Sequence, residues 1–157
     1  MDMSLTEASA QQRINTHLLD TLQALPDGAA LSLTPDSSDL GRLGEQPAIT
    51  VPCDDNNDDP RKPFHLQISY WLIGVPPGQN AHYFQLIRDT WTQRGFRLSS
   101  DADSIWAPVS TPDGYHLVVQ YVRDKDQSVS ITAGSPCFPE SGKGTTTPQP
   151  TELRRPS

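Results

Sequence analysis

Hydrophobic and polar positions alternate most regularly in "FHLQISYWLIGVPPG". Phe64, Leu66, Ile68, Tyr70 and Leu72 interleave with His65, Gln67, Ser69 and Trp71. A period of two places the first set on a buried sheet face and the second on the opposite face, and "PPG" ends the strand. The stretch "YHLVVQYVRD" repeats the pattern, with Tyr115, Leu117, Val119 and Tyr121 on one side. Shorter strand-like runs are "ALSLTP", "AITVPC", "RLSSD", "SIWAPVS" and "SVSITAGSPC", and "TPDG" reads as a hairpin turn.

Two segments follow the helical period instead. Over residues 4–25, Leu5, Ile14, Leu18, Leu22 and Leu25 fall close to one face. "SLTE" reads as a capping box with Ser4 as N-cap and Glu7 reaching back, and "PDG" stops the helix. In "NAHYFQLIRDTWTQRGF", Phe84, Ile87 and Trp91 make an apolar stripe that Tyr83 and Leu86 widen, with Asn80 as N-cap and Gly95 just past the end. Short turns between strands mean antiparallel neighbours. The expected fold is therefore α+β: two helices on one face of an antiparallel sheet of about four to five strands. The expected domain is residues 4–139. Residues 140–157, "ESGKGTTTPQPTELRRPS", have no periodicity and are expected to be disordered.

Composition narrows the functional classes. The 157 residues suit one domain, but only 34% are hydrophobic and 15 are proline. A net charge of −7 opposes nucleic-acid binding and a polybasic membrane patch. No apolar run is long enough to span a bilayer. The opening "MDMSLTEASAQQ" has neither the basic nor the apolar region of a signal peptide.

The chain has two cysteines. They can be unrelated reduced thiols or one disulfide in an oxidising compartment. Cys53 and Cys137 each follow a strand-like run, beside proline and polar loop residues, and this context favours the bridge. It would close a loop of roughly 83 residues, worth about 4–5 kcal/mol by the chain-entropy estimate. A bridged pair places the protein outside the cytosol.

Catalytic and metal motifs are sparse. "SGKGTT" is not a P-loop, because Gly144 rather than Ser or Thr follows Lys143. There is no nucleophile elbow and no zinc spacing, so no cofactor is expected. The acidic run of Asp54, Asp55, Asp58 and Asp59 offers oxygen ligands, yet lacks the alternation of a calcium loop and reads first as a solvated segment. His65 and His116 fall on the polar faces of two strands that would meet across the sheet if adjacent. A histidine pair lacks the third group that orients a base, so a hydrolase is the least favoured reading. Trp71, Trp106 and Tyr83 are candidates for an apolar binding patch on the helix-free face, against the plainer reading that they complete the core.

The order of these features, with "ITVPC", the helix ending "TQRGF", "DGYHLVV" and above all "ITAGSPCFP", resembles small actinobacterial envelope lipoproteins, the mycobacterial LppA-like group. The resemblance spans residues 4–139. It implies a Cys53–Cys137 disulfide and export with a lipid anchor on an N-terminal cysteine, which this chain does not contain. It implies no reaction. The expectation is thus a non-enzymatic cell-envelope or secreted domain that binds a protein partner or an apolar ligand through an exposed sheet face. The competing expectation is an inhibitor, immunity or phage-exclusion protein whose acidic surface meets a basic partner.

Overall fold

The computed structural model describes residues 3–35, 48–53 and 63–154. Among them are two α-helices, α1 (Glu7–Leu22) and α2 (Asn80–Gln93). They also hold eight strands: β1 (Ala30–Ser32), β2 (Ala48–Pro52), β3 (Phe64–Ile73), β4 (Arg97–Leu98), β5 (Trp106–Ser110), β6 (His116–Gln120), β7 (Ser130–Gly134) and β8 (Glu152–Arg154). The strands form one sheet in the order β4-β5-β6-β7-β3-β1-β8, with β2 also paired to β3. Every pairing is antiparallel.

The fold class is α+β, but the sheet has eight strands rather than four to five. The reason is length. β1 and β4, within the strand-like "ALSLTP" and "RLSSD", have only three and two residues, and the three residues of β8 are too few for an alternation to show. β1 joins because the ten-residue β3 offers more edge than one neighbour can fill, while β8 pairs with β1 and β4 with β5. Its first half pairs with β2 and its last residues with β1, while β7 lines the other side.

The alternation of β3 works as its sequence suggests. Leu66, Ile68, Tyr70 and Leu72 point to one face, beside Leu117 and Val119 of β6 and Ile131 and Ala133 of β7. Both helices cover this face. α1 contributes Ala10, Ile14, Leu18 and Leu22, one residue per turn, and α2 contributes Phe84, Ile87 and Trp91. The helices lock together where Trp91 Nε1 donates to Thr21 Oγ1 at 2.9 Å. A tight turn supports the far end of β3. Gly28 and Gly74 both adopt positive φ, and a Cβ on Gly74 would lie 2.0 Å from the Gly28 carbonyl oxygen, so only glycine fits there.

The helix starts differ from the sequence reading. Thr6, not Ser4, caps α1, accepting from the Ser9 amide at 3.2 Å. Glu7 does not complete a capping box. It is buried, accepts the Gly144 amide at 2.8 Å and takes a hydrogen bond from the Thr50 hydroxyl. Gln79 occupies the N-cap of α2, and Asn80 is its first helical residue. The Asn80 side chain instead fastens the β6–β7 turn, donating to Lys125 O at 2.6 Å and accepting from the Ser128 amide at 3.0 Å. Gly95 ends α2 with φ +86°, as read from the sequence.

The expectation of a disordered segment from residue 140 is corrected for residues 140–154. A short 3-10 turn (Glu140–Gly142) leads into a strap that crosses α1 and finishes as β8 against β1. Leu153 is the one apolar side chain the strap buries. Polar groups hold the rest. Gln11 donates to Thr147 O at 2.8 Å and accepts the Thr147 amide at 3.0 Å. Gln149 donates to Asn15 Oδ1 at 2.7 Å and to the Tyr70 hydroxyl at 2.8 Å, and that hydroxyl donates to Pro150 O at 2.5 Å. Burial drives the Tyr70 phenol up to about 12, so it stays a donor. Order that rests on long-range polar contacts leaves no hydrophobic period to read.

Candidate functional site

The disulfide joins Cys53 to Cys137, with Cα atoms 6.4 Å apart. Its position follows from the pairing of β3. Phe64 opens β3 opposite Pro52 of β2, and its backbone exchanges two hydrogen bonds with Phe138, at 2.9 and 2.7 Å. Cys53 and Cys137 thus sit at the ends of the two chains that flank Phe64. The sulfur bridge ties those chains across it.

Beside this bridge, on the face without helices, is an open groove of about 800 Å³. Its walls include Val51, Pro52, Val118, Pro136 and the two half-cystines. The volume is in the range of small-molecule sites. Gly134 of β7 forms its floor. In one cross-strand row Gln67 lies opposite Gly134, and Gly134 opposite His116. A Cβ on Gly134 would meet nothing closer than 4.0 Å, and its backbone is extended. The missing side chain is what hollows the sheet face.

Two histidines, His65 and His116, line the groove. His65 Nδ1 lies 3.5 Å from Cys53 Sγ, and His116 Nδ1 is 3.2 Å from Ser110 Oγ. Burial first, and then the neighbouring His116, hold the His65 pKa below its usual value. The strands of the two histidines are not adjacent, since β7 lies between them. Gly134, opposite His116 and Gln67, leaves the space between those strands open. That residue was not singled out in the sequence, although an isolated glycine closing a strand pattern is a signal of a special backbone or packing position.

The aromatic candidates separate. Trp71 and Trp106 both lie on the helix-free face, in one row that runs Trp71, Ser130, Gln120, Trp106 across four strands. That is a span of about 14 Å, and the row is about 13 Å along β3 from Gln67. The tryptophans are therefore not part of the groove. Trp71 is 9% exposed and Trp106 is half-buried. Tyr83 does not belong to this face. It projects from α2 into the core and is 6% exposed, because the stripe of α2 is wide enough to bury it. The acidic run Asp54, Asp55, Asp58 and Asp59 lies outside the described residues. Lys143, rejected as a phosphate ligand, stands 3.9 Å over the Phe64 ring.

A second polar cluster was not anticipated. Asp113, in the β5–β6 turn, accepts from Arg13 Nε at 2.5 Å and from the Thr111 hydroxyl, and lies 3.3 Å from His17 Nε2. His17 is buried against the rings of Phe96 and Tyr115. Hydrogen bonds from Thr111 and Arg13, with the charges of His17 and Arg13, outweigh burial and bring the Asp113 carboxyl down to about 2. Burial lowers the His17 pKa against the pull of Asp113. With every carboxylate oxygen engaged inside the protein, the cluster fastens the hairpin to α1.

The sign of the pH response follows. A histidine whose folded pKa is lowered contributes stability above its unfolded value of about 6.5, and that contribution falls as the pH drops below it. The depressed Asp113 contributes above about 4, a contribution lost as the pH falls towards 2. Urea titrations of the wild type should thus show declining stability from about pH 6.5 downward. In His17→Gln the slope between about pH 6.5 and 5 should flatten; an unchanged slope would contradict this assignment.

Among the described residues no group of three or more His, Cys, Asp or Glu side chains is arranged to hold a metal. No helix among them is long and apolar enough to cross a membrane. No family model matches the chain, and neither does any curated protein or solved structure.

Proposed function

We propose that this is an exported, non-enzymatic domain that captures an apolar ligand through the helix-free face of its sheet, with the groove beside the disulfide as the binding site. The observation that carries this reading is the concavity over Gly134. A sheet face that merely met solvent would gain from a side chain there, since glycine in a strand costs roughly 0.5–1 kcal/mol. Here the backbone accepts any residue, and the space above it is walled by Val51, Val118, Pro136 and the bridge. Among the described residues that line the groove, no aspartate or glutamate orients either histidine, which favours binding over turnover. Export rests on the disulfide. The likeness to envelope lipoproteins adds a cell-surface setting and a lipid anchor upstream as parts of the same proposal.

Gly134→Val tests the site. Valine suits an extended strand, so the melting temperature should hold or rise, while the groove loses its floor. Binding of the neutral dye Nile red, read by its fluorescence, should fall at least about tenfold, the effect of about 1.4 kcal/mol. Undiminished dye binding by a folded Gly134→Val protein would remove the groove from the proposal.

A further inference from the structure

The groove is more selective than its apolar walls suggest. The chain carries a net charge of −7, yet the described groove lining contains two histidines and no aspartate or glutamate. Arg97 of β4 stands at the end of the row that runs through Ser110 and His116 to Gly134, so a third basic group borders the same face. Both rings use Nδ1 towards the protein, His65 against Cys53 Sγ and His116 against Ser110 Oγ. Their Nε2 atoms are the ring positions left for a ligand. Asp113, in the turn before His116, is turned to α1 and held there by Arg13 and His17.

We propose that the groove binds amphiphiles bearing a carboxylate, with the head group seated between the Nε2 atoms of His65 and His116 and the apolar chain lying along Val51, Val118, Pro136 and the disulfide. This deepens the reading of the groove as an apolar-ligand site and rests on it. The charge pattern selects the head group. An anion placed between two imidazoles relieves their mutual repulsion and accepts a charge-assisted hydrogen bond from each, worth more than a neutral one. No other titratable side chain lines the groove among the described residues. Binding therefore takes up protons: burial favours the neutral form of the free His65, and a carboxylate bound beside an imidazole raises its proton affinity.

Decanoate and decan-1-ol distinguish the two levels of the argument, because they share a chain and differ in the head group. Each is titrated against Nile red on the intact, oxidised protein, at about pH 6 and about pH 8. Decanoate should displace the dye at least about tenfold more tightly at the lower pH, and decanol equally at both. The double variant His65→Gln, His116→Gln should lose that decanoate advantage and keep decanol affinity. Equal affinity for acid and alcohol, or a pH-dependent preference that survives in the double variant, overturns the carboxylate assignment and leaves the apolar site standing. Failure of both amphiphiles to displace the dye overturns the site itself.

Discussion

Replacing Cys53 and Cys137 together by serine should lower the unfolding free energy by about 4–5 kcal/mol. The bridge joins residues 84 apart, and the loop between them contains β3, α2 and β4 to β7. Cutting it releases most of the domain to a larger unfolded ensemble, while α1, β1 and β8 lie outside the loop. With total stabilities of order 5–15 kcal/mol, a loss of this size leaves the variant close to unfolding at physiological temperature. The midpoint of thermal unfolding should fall by more than about 10 °C. Reduction of the wild type should reproduce the shift. If the unreduced native protein instead yields two alkylatable thiols by mass spectrometry, the bond and the exported setting both lose their basis.

The second large effect is expected at Trp91. Its side chain is fully buried between α2 and α1. Trp91→Ala should cost about 3–5 kcal/mol, the usual range when a buried aromatic leaves a cavity. Trp91→Phe separates packing from the hydrogen bond. It keeps most of the ring volume and removes only the donor to Thr21, whose hydroxyl still donates to His17 O at 2.8 Å. Because Thr21 is not left without a partner, the loss should be nearer about 1 kcal/mol. Equal losses in the two variants, measured by urea unfolding, would mean that the hydrogen bond and not the volume dominates this contact.

These two sites differ in how they could be read from the chain. Trp91 belongs to a stripe with Phe84 and Ile87, and helical periodicity is enough to bury it. The cysteine pair required context: two strand ends, each followed by proline and polar residues. The groove required neither. His65 and His116 were visible as polar-face residues, but their place in one groove depends on β7 lying between their strands and on Gly134 occupying one particular register. A pairing register is a relation between distant segments, and a strand's own alternation is silent about it. Tyr83 shows the reverse error. A helix stripe has a width, and only the packed sheet decides whether a flanking aromatic is core or surface.

The strap carries the same lesson for the C-terminal segment. Gln11, Asn15, Tyr70, Thr147 and Gln149 each have an unremarkable local sequence context, and the hydrogen bonds among them exist only once α1 lies on β3. The His17–Asp113–Arg13 cluster is of this kind too, joining residues about a hundred positions apart.

The sequence alone therefore determined the class: two amphipathic helices on an antiparallel sheet, the faces of β3 and β6, and two cysteines placed to meet. Those properties depend on solvent partition at each position, which local periodicity records. The tertiary structure decided the eighth strand, the ordered strap, the fate of Tyr83 and the groove over Gly134. Each of these depends on which distant segments become neighbours, and that is set by the packing of the whole domain.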